Sequence, residues 1–451
     1  MPVLGPRLVV AGTHSGVGKT TVASGLMAAF ARRGLRVAPA KVGPDFIDPG
    51  YHALATGRPG RNLDAWMCGP DAIAPLAGRA AGGADLFVVE GVMGMFDGAN
   101  DGGPSSTADV AALLDAPILL VVDGSGMSQS IAALVHGFAT YDDRVRVAGV
   151  VCNRVGSPHH VELLRRALEP SGIPVLGALT PDDAYRWRDR HLGLVPVVEH
   201  PEQVRGALDR LAMAITETCD LDAIARVARQ APERSVPDVV QPEPVGPTRL
   251  AIAAGRAFSF SYEDNLEALR AAGAELVPFD PCEDARLPAD CTGVIAGGGF
   301  PEVYGDALAA NTPLLADVRR AVSDGAVVWA ECGGLLWLGD ALDGQPMAGV
   351  VPTAATMTSR LTLGYRHVCT TVRSPLGPAG TELRGHEFHY STVDPRRDDL
   401  APVAPGTAAP AAWLDERVFA SYLHCHLGAA HEVATAFVRA AASARDSDNS
   451  P

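Results

Sequence analysis

Apolar positions along the first two hundred residues fall into two rhythms. Short runs at Leu8–Ala11, Leu86–Val89, Ile118–Val122 and Val147–Val151 are rich in Val, Ile and Leu and are followed by glycine or polar residues. Runs of that length and composition predict strands buried on both faces of a parallel sheet. Between them lie longer amphipathic stretches, Thr20–Arg33 and His160–Ala167 among them, which predict helices. Strand alternating with helix implies a doubly wound α/β sheet.

The rhythm stops at Gln230–Thr248, a segment with five prolines and little periodicity, which is the composition of a linker. It restarts with strand Leu250–Ala254, helix Tyr262–Ala272 and strands Glu275–Phe279, Gly293–Ala296 and Ala326–Ala330. After Met357 the pattern turns more β-like. The expected organisation is therefore a first α/β domain at 1–229, a Pro-rich linker at 230–248, a second α/β domain at 249–440 and a disordered tail at 441–451.

Composition narrows the function classes. The chain has 451 residues and a formal charge of −15, a poor match to the basic face that non-specific nucleic-acid binding requires. No apolar run reaches the ~18 residues of a membrane span, and the start lacks a signal-peptide layout. Eight cysteines are scattered without a C-x-x-C pair, which fits reduced thiols and a cytoplasmic location. Only two of the 37 basic residues are lysine, Lys19 and Lys41. Where arginine is so preferred, a retained lysine marks a place for a compact point charge rather than a planar fork.

Lys19 lies in GTHSGVGKTT, Gly12–Thr21, between a strand and a helix. Gly16, Val17, Gly18, Lys19, Thr20 and Thr21 have the layout of a phosphate-binding loop: backbone amides around an anion, the lysine on the outer phosphates and Thr20 on Mg²⁺. Thr13 stands where the strict pattern has its first glycine. ATP is the expected nucleotide. Glu90, at the tip of an apolar strand, is a second Mg²⁺ candidate, Asp97 a candidate for metal or substrate, and Asn153 a candidate for adenine. Lys41 opens KVGPDFIDPGYH, in which Asp45 and Asp48 flank Phe46 and Ile47. In this loop Lys41 would neutralise phosphate or carboxylate charge, and Asp45 would help place Mg²⁺ or orient a reacting group. Arg58, Arg61 and Asp64 could add anion recognition.

In the second domain a strand ends in ECGGLLWLG, Glu331–Gly339. A cysteine at a strand-to-helix turn followed by glycines has the layout of a nucleophile elbow, which places Cys332 as a thiolate nucleophile. Its base is His424, or else His426, in FASYLHCHLG. Glycine amides at Gly298 or Gly299, with that of Gly333, could form an oxyanion hole.

The order of these parts resembles the class I, triad-type glutamine amidotransferases. GPDFIDPGYH, EGVMGMFDG, GGGFPE, AECGG, GHEFHYS and SYLHCH are similar to motifs of one cobalamin-pathway branch, the cobyrinic or hydrogenobyrinic acid a,c-diamide synthases, over about residues 7–430. The resemblance implies a phosphate-loop domain like dethiobiotin synthetase and a glutaminase domain. The implied reaction is ATP- and glutamine-dependent amidation of the a and c carboxylates of the corrinoid, with Mg²⁺ as cofactor. ATP, glutamine and a corrinoid polycarboxylate would be the partners, and a homodimer is one assembly compatible with it. In this reading Cys332 and His424 release ammonia, while Lys41, Asp45, Phe46, Ile47, Asp48 and Asp97 face the substrate. One departure stands out: His426 occupies the place where triad enzymes carry Glu, which leaves the third member open. A diamide synthase for a nickel-sirohydrochlorin-type tetrapyrrole and a partition or metal-chaperone ATPase of the deviant Walker type are the alternatives.

Overall fold

A computed structural model describes residues 1–99, 102–181, 189–190, 193–241, 244–404 and 406–448. The chain divides into two compact units, Met1–Val239 and Val240–Pro451.

The first unit is built on a seven-stranded sheet in the order Arg61–Leu63, Val37–Val42, Leu86–Glu90, Arg7–Gly12, Ile118–Asp123, Val147–Asn153 and Val175–Ala178. Every pairing in it is parallel. The continuous apolar runs follow from this: the central strands are covered on both faces and show almost no exposed residue. Helix Lys19–Arg32 packs on the sheet with Leu26, Met27 and Phe30 in a core shared with Leu211 and Ile215 of helix Pro201–Thr218. Gly25 allows that approach, since a Cβ there would lie 2.7 Å from Ile215 Cγ1 and 2.9 Å from Leu211 Cγ.

The first part of the proline-rich segment belongs to this unit. Arg234–Ser235 pairs antiparallel with Val3–Leu4, and Val236 is fully buried. The Arg7 guanidinium, also buried, ties the region together by donating to the carbonyls of Leu114, Leu4, Gly5 and Pro232. Composition predicted a linker from residue 230; these tertiary contacts move the boundary to 239/240.

The second unit holds a six-stranded sheet in the order Ala274–Phe279, Thr248–Ala253, Gly293–Ala296, Val327–Glu331, Val418–Ser421 and Ala412–Leu414. It is parallel except for the last, antiparallel pair. A separate sheet carries a long antiparallel pair, Ala354–Thr370 with Glu382–Asp394. The chain passes from one sheet to the other within two residues: it leaves the first at Ser421 and joins the second as His424–Cys425, which pairs with Gly385 and His386. Trp337 sits at the centre of one core against Phe258 and Phe279, with ring centroids 5.6 and 6.2 Å away. Burying a ring of this size removes roughly 150–250 Å² from water, worth about 4–6 kcal/mol at ~25 cal/mol per Å². The last helix, His431–Asp448, extends through most of the stretch expected to be a disordered tail. Among the described residues no helix is long and apolar enough to cross a membrane.

Candidate active sites

The first site forms where strands Arg7–Gly12, Val37–Val42 and Leu86–Glu90 end side by side. The loop after Arg7–Gly12 turns through Gly16 and Gly18 at φ 78° and 101°, conformations that cost glycine little. The end of strand Val147–Asn153 braces it. Asn153 Nδ2 donates to Val17 O at 2.9 Å, and Arg154 joins Gly16 O at 2.8 Å to Asp123 at 2.6 Å. A Cβ on Gly18 would lie 2.1 Å from Asn153 Nδ2. The adenine candidate is thus engaged by the phosphate loop itself, and Arg154 adds to the brace.

Lys19 Nζ donates to the carbonyls of Met93 and His14. Burial, then the charge of Lys41, lowers its ammonium to about 8 against the pull of Glu90, Asp48 and Asp97. Beneath it lies a buried charged cluster. Thr20 Oγ1 donates to Glu90 Oε1 at 2.6 Å and lies 3.4 Å from Asp48 Oδ2. Lys41 Nζ bridges Asp48 at 2.6 Å and Glu90 at 2.8 Å, and also donates to Gly91 O. His52 Nε2 meets the other Glu90 oxygen at 2.6 Å. Burial opposes the charge on Lys41, but Asp48 and Glu90 outweigh it and raise its pKa. Burial likewise opposes ionisation of Glu90, yet Lys41 and His52 hold it well below the usual carboxylate range. Asp48 is raised by burial and by Asp45.

The two aspartates divide their work differently from the expectation. Asp45 Oδ1 accepts from the amides of Ile47 and Asp48, at 2.7 and 2.8 Å, and so starts helix Asp48–Thr56. Asp48 is the carboxylate that faces Thr20. Lys41, expected to meet substrate, is enclosed by carboxylates at 3% exposure. Ile47 is buried and Phe46 half-buried. Asp97 Oδ2 accepts from Gly94 N within its own turn. Arg58 donates to Ala80 O and Gly82 O, and Asp64 caps the next helix, so both have structural work. His52 was not singled out from sequence. Its signal was there: it stands four residues after Asp48, and residues so spaced share a helix face.

The second site lies at the end of strand Val327–Glu331. Cys332 has φ 48° and ψ −101°, a strained conformation for a non-glycine residue, and its amide donates to Ser421 O at 2.7 Å. Close packing makes its glycine neighbours necessary. A Cβ on Gly334 would lie 2.0 Å from Ala296 O, and one on Gly333 3.1 Å from Gly299 N. One on Gly298 would lie 2.5 Å from His424 Cε1. The glycine-rich strand end, the cysteine turn and His424 therefore converge. Burial opposes protonation of His424, but the neighbouring Cys332 and Glu331 outweigh it and push its pKa up to about 10. His426 points elsewhere: its Nδ1 accepts from Gly428 N, its ring lies on Tyr262 and its Nε2 is 3.9 Å from Asp264. Burial pushes the thiols of Cys152 and Cys219 up to about 12 and 11, as expected of inert core cysteines.

GHEFHYS forms a wall of this site. Phe388 O is 3.8 Å from Cys332 Sγ. His386 pairs with His424 across the strands, and burial, then His424 and Arg366, lower its pKa to about 3. His389 stacks on Tyr422 at 3.6 Å and meets Glu387, which Arg366 holds at 2.8 Å.

Two domain families match the chain. Residues 8–195 match the CobQ/CobB/MinD/ParA nucleotide binding domain, and residues 249–432 the CobB/CobQ-like glutamine amidotransferase domain. The hydrogenobyrinate a,c-diamide synthase of Streptomyces coelicolor is 47% identical, with 96% of this chain and 97% of that protein covered. The chain belongs to the a,c-diamide synthase family. The enzyme of the same name from Thermobifida fusca is 44% identical over 98% of both chains. A cobyrinate a,c-diamide synthase from Syntrophotalea carbinolica is 43% identical over 96% of this chain and 98% of its own. A nucleotide-binding domain joined to a glutamine amidotransferase domain makes this member of the a,c-diamide synthase family a glutamine-hydrolysing ligase, and a partition-type ATPase is set aside.

Proposed function

We propose that this chain uses ATP and glutamine to convert the a and c carboxylates of cobyrinic or hydrogenobyrinic acid to amides. The observation that carries the reading is the Cys332 elbow with His424 beside it, in a chain whose other unit ends its central strand in a phosphate loop.

In the glutaminase half, the sulfur of Cys332 bonds to the carboxamide carbon of glutamine while His424 holds the proton given up by the thiol. The amides of Gly298 and Gly333 receive the developing oxyanion. His424 returns the proton to the departing nitrogen, ammonia leaves, and water hydrolyses the thioester to glutamate. In the ligase half, a substrate carboxylate oxygen bonds to the γ-phosphorus of ATP and ADP leaves. Ammonia then attacks the acyl phosphate, and phosphate departs as the amide forms. Positioning and charge neutralisation carry such phosphoryl transfers, which is the role assigned to the Gly16–Thr21 amides and Lys19.

Thr20, Asp48 and Glu90 offer hard oxygens within 3.4 Å of the Thr20 hydroxyl. Among the described residues no group of three or more His, Cys, Asp or Glu gathers as a metal cage. One or two carboxylates with nucleotide phosphates is how Mg²⁺ is usually held, so these residues fit the ion. Bound with ATP, Mg²⁺ supplies charge neutralisation at the phosphates. Lys41 keeps Asp48 and Glu90 paired, and Phe46 gives the corrinoid an apolar contact beside them.

The test is incubation with ATP, Mg²⁺, glutamine and each macrocycle, followed by mass spectrometry for two successive carboxyl-to-amide conversions. Cys332→Ser should lose activity with glutamine and keep it with free ammonia. Glutamine-dependent amidation by that variant would sink the assignment, and so would a wild-type enzyme that leaves both macrocycles unchanged.

A further inference from the structure

A histidine that must accept and return a proton needs a fixed tautomer and ring orientation, normally set by a carboxylate on its second nitrogen. The residue two places after His424 is His426, which faces Asp264 and Tyr262. The carboxylate that does face His424 comes from the residue immediately before the nucleophile. Glu331 Oε2 lies 3.6 Å from His424 Nδ1. Its other oxygen is held twice, by Trp329 Nε1 at 3.1 Å and by the amide of Cys425 at 3.0 Å. Both donors are rigidly placed: Trp329 lies two residues earlier on the same strand, and Cys425 directly follows the histidine. Glu331 is 7% exposed and His424 2%.

We propose that Glu331 is the positioning residue of the glutaminase site, completing a Cys332–His424–Glu331 set in which two members are adjacent in sequence. One oxygen anchors the carboxylate to the backbone that carries His424. The other faces Nδ1, which leaves Nε2 for the thiol. The 3.6 Å separation is long for a hydrogen bond, as such contacts often are before substrate closes the site. Other polar groups near His424 are badly suited to the role. His386, across the strand pair with its ring centroid 6.3 Å away, is an imidazole that burial keeps neutral. Arg366 is paired with Glu387, and Cys425 is a buried thiol whose pKa burial raises. Asp264 belongs to His426.

This inference rests on Cys332 as the nucleophile, which Cys332→Ser tests separately. Its own test uses Glu331→Gln, Glu331→Asp and Glu331→Ala in the full chain. Each is assayed with glutamine and with free ammonia, and the pH profile of glutaminase kcat/KM is recorded. Glu331→Gln should lower glutamine-dependent kcat/KM by about 10²-fold or more, since the wrong tautomer becomes available. Ammonia-dependent amidation should stay within about twofold, a difference of roughly 0.4 kcal/mol. The profile limb belonging to His424 should move to lower pH, because a neutral amide no longer stabilises the imidazolium. Glu331→Asp should recover part of the rate and move the limb back. An unmoved pH profile, near-parental glutaminase in Glu331→Gln, or equal losses with both nitrogen sources would overturn the proposal.

Discussion

Replacing Gly298 with alanine tests the geometry of the glutaminase site by a single methyl group. The added Cβ would lie 2.5 Å from His424 Cε1 and 3.3 Å from Phe260 Cβ and Cδ2. Ordinary carbon contacts begin near 3.4 Å, so the imidazole must retreat by about 0.9 Å, because Phe260 closes the opposite escape. A displacement of ~1 Å in a proton-transfer group costs roughly 10²-fold in rate, or about 2.7 kcal/mol of barrier. The backbone of Gly298 does not use a left-handed conformation, so the loss would come from the ring contact and not from a strained main chain. The assay compares kcat/KM for glutamine with the rate of amidation from free ammonia, alongside the thermal midpoint. We expect the first to fall about 10²-fold and the second to hold. Glutaminase within about threefold of the parent, a change of only ~0.65 kcal/mol, would show that His424 is not the base or that its position is not decisive. Equal falls with both nitrogen sources would refute the separation of the two sites.

Four further substitutions probe the two sites. Lys19→Ala should abolish amidation from glutamine and ammonia alike, with the glutaminase KM unchanged, as steady-state kinetics with each nitrogen source would show. Lys41→Met leaves Asp48 and Glu90 buried without their cation, and should lower the unfolding free energy by about 3–5 kcal/mol in denaturant titrations; adding Glu90→Gln should restore part of it. The pKa of His424 is raised on folding from 6.5 to about 10, so its contribution is complete below pH 6.5 and lost as pH rises through 10. The stability gap between parent and His424→Asn should therefore shrink over that interval in unfolding curves measured at several pH values. Asn153→Ala removes the donor to Val17 O and should raise the KM for ATP by about 5–10-fold, for a lost buried hydrogen bond of ~1–1.4 kcal/mol, with glutaminase unaffected.

The strands of both sheets were legible because parallel strands covered on both faces must read as apolar runs, and the ends of those strands carried Lys19, Glu90 and Cys332. Interactions between distant segments were less legible. Asp45 and Asp48 look alike in sequence, and only the start of helix Asp48–Thr56 decides which carboxylate is used by backbone amides and which faces Thr20. Lys41 stood out by rarity, but its burial between two carboxylates depends on a register partner in another strand, Glu90. From sequence His424 is the preferred base and His426 the second choice, and the two are separated by what each ring touches, Gly298 in one case and Tyr262 in the other. Arg234–Ser235 read as linker because a two-residue strand leaves no periodicity.

The crossing between Ser421 and His424 has a mechanical consequence. The nucleophile is mounted on the parallel sheet, while the base opens a strand of the other sheet. Glutamine cleavage therefore works as a gauge of how the two sheets are seated on each other, to a fraction of an ångström. A partial opening that slid one sheet against the other, well short of unfolding either, would part sulfur from imidazole and silence ammonia release first. Mild heat or denaturant should accordingly leave a chain that keeps its secondary structure and no longer spends glutamine.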